Sequence, residues 1–162
     1  MPNKASRTPK KIADVGRCAL GYLRVPAPPV KLLKQTWNDF IATHEPGDKF
    51  LQFCTSGGAT EVKIGLLTSP KEVRDRIIVV AWAPACIIPK ELCFESYNYV
   101  SKRDFVPYFD IEGYRKYKDQ LTRVEPHPDA PFFDHGWESP TNTVIIEKHI
   151  ERYLSNTQGA KK

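Results

Sequence analysis

The chain has little that would staple it. Its 162 residues include four cysteines, Cys18, Cys54, Cys86 and Cys93, and no two form a Cys-x-x-Cys pair. That spacing excludes the usual ligand set of a structural zinc site. Met1-Pro2-Asn3-Lys4 does not open the apolar stretch of a signal peptide. The thiols are therefore expected reduced and mostly buried, in an intracellular protein. No apolar run approaches the ~18–20 residues that span a bilayer, so no membrane segment is expected. Ser56-Gly57-Gly58 lacks the Gly-Lys-Ser/Thr that would make it a phosphate loop, and Gly-x-Ser-x-Gly is absent. No Cys or Ser pairs evidently with a His along the sequence, and there is no internal repeat.

What is present is a globular composition, 41% hydrophobic with 11% aromatic residues. The length suits one domain with a core large enough to need neither disulfide nor metal. Fourteen prolines favour loops and short strands over a helix bundle. The formal charge of +5 belongs to the ends. Lys4, Arg7, Lys10 and Lys11 face no acid within residues 1–11, and Lys161 and Lys162 close the chain. Removing those six from the 24 bases leaves 18 against 19 acids, so the body is nearly neutral. Residues 1–11 and 156–162 are expected as basic tails around a single domain over 12–155. The N-terminal bases are candidates for DNA or RNA backbone contact, or for nuclear import. A neutral body argues against a broad nucleic-acid groove.

Periodicity predicts a helix over 29–43, with Leu33, Trp37, Phe40 and Ile41 on one face. Ala19–Leu23 is a possible short strand. Alternation over 48–54 and again over 61–67, separated by Thr55-Ser56-Gly57-Gly58, predicts a hairpin. Thr68-Ser69-Pro70-Lys71-Glu72 marks a turn or one helical turn. Ile77-Ile78-Val79-Val80-Ala81-Trp82 reads as a central strand. Further strands are expected over 92–100 and 105–109, and 114–121 is strand or helix. The proline-rich segment 125–141 reads as a long ordered loop, followed by an amphipathic closing helix over 143–155. The expected fold is mainly β within the α+β class: a twisted antiparallel sheet, or a small partly open barrel, with a helix near each end.

Three constellations could carry chemistry. On a hairpin, Asp48 and Glu61 could meet and hold Mg²⁺ while Lys63 polarises a water. That pattern is similar to the acidic pair and Glu-x-Lys of PD-(D/E)xK endonucleases; such residues are more often a turn cap and a solvated strand face. His127, Asp129, Asp134 and His135 have the residue types of a divalent-metal site, but no spacing that defines one. Trp37, Phe53, Trp82, Phe94, Tyr97 and Tyr99 could pack as core or line an aromatic pocket for a methylated ammonium or an unpaired base.

The order of short motifs resembles the bromo-adjacent homology domain of chromatin proteins. Gly47-Asp48-Lys49-Phe50 leads to Lys63-Ile64-Gly65-Leu66-Leu67, then to Val79-Val80-Ala81-Trp82-Ala83-Pro84. Glu91-Leu92-Cys93-Phe94-Glu95-Ser96, Val106-Pro107 and Ile111-Glu112-Gly113 follow. The resemblance covers about residues 45–120. It implies a non-enzymatic nuclear module, without cofactor, that binds a histone tail or other chromatin protein through Trp82; Tyr97, Tyr99 and Phe53 are the pocket residues expected beside it. The alternatives are the Mg²⁺-dependent endonuclease and a PUA-like nucleic-acid-binding barrel.

Overall fold

The computed structural model describes residues 28–159. Helix α1, Pro28–Thr43, begins with prolines in its first turn, where no backbone donor is needed. Val30 and Trp37 on its inner face are fully buried, with Leu33 and Ile41 beside them. Pro46 disfavours a helical Glu45, and the chain turns there: Asp48 N–H donates to Glu45 O at 3.0 Å and its carboxylate accepts from Glu45 N–H. Strand β1, Phe50–Ser56, follows and passes directly into helix α2, Gly57–Leu67. A short helix α3, Lys71–Arg74, leads to strand β2, Ile77–Pro84. Strand β3 is Glu95–Ser101, helix α4 is Ile111–Tyr117, strand β4 is Leu121–Val124 and helix α5 is Pro140–Gly159.

The four strands form one sheet in the order β1-β2-β3-β4, and every neighbouring pair is parallel. Phe50 pairs with Ile77, Ile78 with Glu95 and Asn98 with Leu121. The fold is therefore a mixed α and β architecture on a parallel sheet, in place of the expected antiparallel sheet or barrel. β2 explains why: seven of its eight residues are buried, as a central parallel strand covered on both faces must be.

The predicted hairpin is the main correction. Residues 61–67 are helical, so Glu61 and Lys63 lie on α2. Ala59, Val62 and Leu66 share the helical face turned to the sheet core, where they join Trp37, Ile77, Val79, Ala81 and Ile88. Gly65 meets α1 instead: an added Cβ would stand 3.0 Å from the Trp37 ring. The segment expected as a strand over 105–109 is a turn of 3-10 helix at Val106–Phe109.

β2 reaches β3 through one turn of 3-10 helix at Lys90–Leu92, with no α-helix between them. Asn98 holds that connection from inside, accepting from Ile88 N–H at 2.9 Å and donating to Ile88 O at 2.9 Å, while Ser96 Oγ donates to the same oxygen. α5 covers the other face. His149 Nε2 meets the Tyr99 hydroxyl at 2.9 Å, and Arg152 donates to the Tyr97 hydroxyl at 2.6 Å. No helix among the described residues is long and apolar enough to cross a membrane.

Candidate active site

Parallel strands all end on one edge, and the carboxyl edge of such a sheet is where ligand crevices form. β1 ends there on Ser56, whose backbone has φ 50° and ψ −126°. A residue with a Cβ pays roughly 1–3 kcal/mol for such a conformation, and strain of this kind gathers at functional sites. Its origin is geometric. The strand turns into α2 at Gly57 with no intervening loop, so Ser56 alone absorbs the reversal. The neighbouring strand end is strained too: Ala83 has φ 47°, and the register slips so that Thr55 faces Trp82 while Ser56 faces Pro84. Ser56 O still accepts from Ala85 N–H at 3.0 Å, which locks the two strand ends together. The turn also leaves the first N–H groups of α2 at this edge, where a helix carries partial positive charge.

Beyond β3, on the far side of β2, the chain bends through Asp104. Its N–H donates to Ser101 O at 3.0 Å, and its Oδ1 accepts from Val106 N–H at 2.8 Å. These bonds aim Oδ2 at His135 Nδ1, 2.7 Å away. The Asp104 side chain has no exposed surface, whereas the His135 ring keeps 21%. A buried carboxylate on Nδ1 fixes the orientation of the ring.

His135 is held by its own loop, residues 125–139. Trp82 Nε1 donates to His135 O at 3.2 Å, so the histidine lies across the end of β2. The fully buried Asp134 accepts from Thr141 Oγ1 at 2.7 Å and from Ser139 Oγ, pinning the residue before it to the start of α5. Arg103 Nη1 donates to Ala130 O at 3.1 Å and ties this loop to the one bearing Asp104. Ser56 thus ends β1, Asp104 follows the end of β3 by three residues, and His135 is held to Trp82 of β2 through its carbonyl oxygen.

The residues singled out in the sequence are distributed elsewhere. Asp48 caps a turn at the opposite, amino edge of the sheet, while Glu61 and Lys63 ride on α2. The adjacent strands that were to join them for Mg²⁺ do not form. Lys63 sits 5.7 Å over the Tyr117 ring. His127 and Asp129 make a solvated pair at 3.7 Å, and Asp134 and His135 turn to the separate partners described above. Among the described residues no group of three or more His, Cys, Asp or Glu is arranged to hold a metal.

Trp82 is 1% exposed and lies beneath the 125–139 loop, so burial closes off the ring expected at a rim. Tyr97 and Tyr99 pack on His149 with ring centroids 4.6 and 5.6 Å away, and Phe53 meets Trp137 edge-on. Cys54, Cys86 and Cys93 are buried, and burial pushes the Cys93 thiol up to about 12. Lys4, Arg7, Lys10, Lys11, Cys18 and the possible strand at 19–23 lie outside the described residues.

The sequence did contain a signal for the site. A small residue two places after a serine at a strand end is half of the Gly-x-Ser-x-Gly pattern, and Gly58 satisfies that half; Cys54 stands at the other glycine's position. No family model, curated protein or solved structure matches the chain.

Proposed function

We propose that the protein is a serine hydrolase acting on carboxylic esters, with Ser56 as nucleophile, His135 as general base and Asp104 as the carboxylate that orients it. The observation that carries this is the Ser56 backbone, strained at a direct strand-to-helix turn on the same sheet edge as the Asp104–His135 pair. α/β hydrolases present their serine on such an elbow, with the partners following in the order Ser, Asp, His. Ser56, Asp104 and His135 keep that order.

In this scheme Ser56 Oγ attacks the ester carbonyl as His135 Nε2 takes its proton. The oxyanion forms beside Gly57 N–H, the backbone donor that follows the nucleophile, at the positive end of α2. The alcohol leaves with the proton from His135, and water then releases the acid from Ser56 by the same route. Asp104 holds the ring and stabilises its charged form.

The test needs no known substrate. A fluorophosphonate probe forms a phosphorus–oxygen bond to an activated serine and expels fluoride, while the serine proton passes to the base. Peptide mapping is expected to place the adduct on Ser56, with labelling at least about 100-fold slower in His135→Gln, the scale of general-base assistance. Equal labelling of Ser56→Ala, or no faster labelling of native than of urea-unfolded protein, sinks the assignment.

A further inference from the structure

The two loops that bring Asp104 and His135 together also carry a run of aromatic rings on the protein surface. Phe133 stacks on the His135 ring, with centroids 5.3 Å apart and planes 10° apart. Phe105 lies 4.9 Å beyond Phe133, and Phe109 lies 5.8 Å beyond Phe105. Phe109 is 73% exposed and Phe132, next to Phe133, is 94% exposed. Single exposed apolar residues are ordinary, but a contiguous apolar surface marks a binding site. This one starts at the imidazole and leads away from it. Two charges beside it have partners: Asp104 bonds His135, and Arg103 Nη1 donates to Ala130 O.

From this continuity we infer that Phe133, Phe105 and Phe109 form the acyl-binding wall of the site, which selects esters of uncharged, bulky apolar acids over acetate. The inference rests on the hydrolase assignment for its chemistry, but the wall can be read separately. An acyl chain laid along the rings would bring its carbonyl to His135. Each methylene removed from water is worth about 0.8 kcal/mol, up to ~4-fold per carbon.

The experiment has two arms. Turnover of p-nitrophenyl acetate and octanoate by native protein is expected to favour octanoate at least tenfold in kcat/KM, with the ratio falling toward one in Phe105→Ser/Phe109→Ser. Equilibrium binding of the same two esters to Ser56→Ala, where they survive, is expected to show the same preference and the same loss. Octanoate bound no tighter than acetate overturns the wall. Preferential binding of octanoate without Ser56-dependent turnover by native protein would instead overturn the hydrolase assignment and leave an apolar ligand site.

Discussion

A residue in a costly conformation identifies itself when its removal stabilises the fold. Glycine populates positive φ without a Cβ penalty, so Ser56→Gly releases strain of roughly 1–3 kcal/mol against an entropic cost of about 0.5–1. The net expectation is a gain of about 1 kcal/mol in urea unfolding, together with complete loss of fluorophosphonate labelling. Ser56→Ala keeps the Cβ and the strain, so it should lose labelling without gaining stability. A Ser56→Gly protein no more stable than Ser56→Ala would mean that the elbow stores nothing. The contrast also explains what the sequence left unread. Residues 56–58 announce a sharp turn, but not whether a strand or a helix follows. Asp104 and His135 are 31 residues apart, and only the parallel pairing of β3 and β4 and the fold-back of the 125–139 loop make them neighbours.

At the scale of elements, α2 tests how one helix is squeezed between a sheet and a second helix. Alanine is a better helix former than glycine by about 1 kcal/mol, so Gly58→Ala, whose Cβ would meet only Cys54 Cβ at 3.9 Å, should stabilise by up to that amount. Gly65→Ala should do the opposite. Its methyl would press on Trp37, which is fully buried and held through Nε1 to Gln52 Oε1 at 3.2 Å. Overpacking of this kind costs about 1–3 kcal/mol, more than the helical gain. Urea midpoints moving in opposite directions would support this packing; two equal gains would refute it.

The same packing explains the misread hairpin. A helix apolar on several sides shows Val62, Ile64 and Leu66 at strand spacing as readily as at helical spacing. α1 and α5 each have one solvated side, and both were legible from periodicity. β1 and β2 were legible as strands, but their relative direction lay in the α2 crossover. Direction is what moved Asp48 and Glu61 apart and gave Ser56 its edge.

For the whole molecule, α5 is the brace that couples the sheet to the His135 loop, and His149 sets how that brace responds to acid. Its ring lies against Tyr97 and bonds Tyr99, with Arg152 and Lys148 near and Glu95 opposing them. Burial first, then the cations of Arg152 and Lys148, lowers its pKa from the ordinary 6.5. Between 6.5 and that lower folded value, the unfolded chain binds a proton that the folded chain refuses. Stability therefore rises with pH through this window: the contribution is complete above it and declines as pH falls. His149→Gln keeps a hydrogen-bond partner for Tyr99 but cannot take up the proton. Native protein should lose more stability than His149→Gln between pH 7 and pH 5, with the gap closing above pH 7. Carboxylates titrate alike in both proteins, so the difference between the two urea series isolates His149. Parallel curves would show that His149 protonates as readily folded as unfolded, and that α5 stays seated in acid.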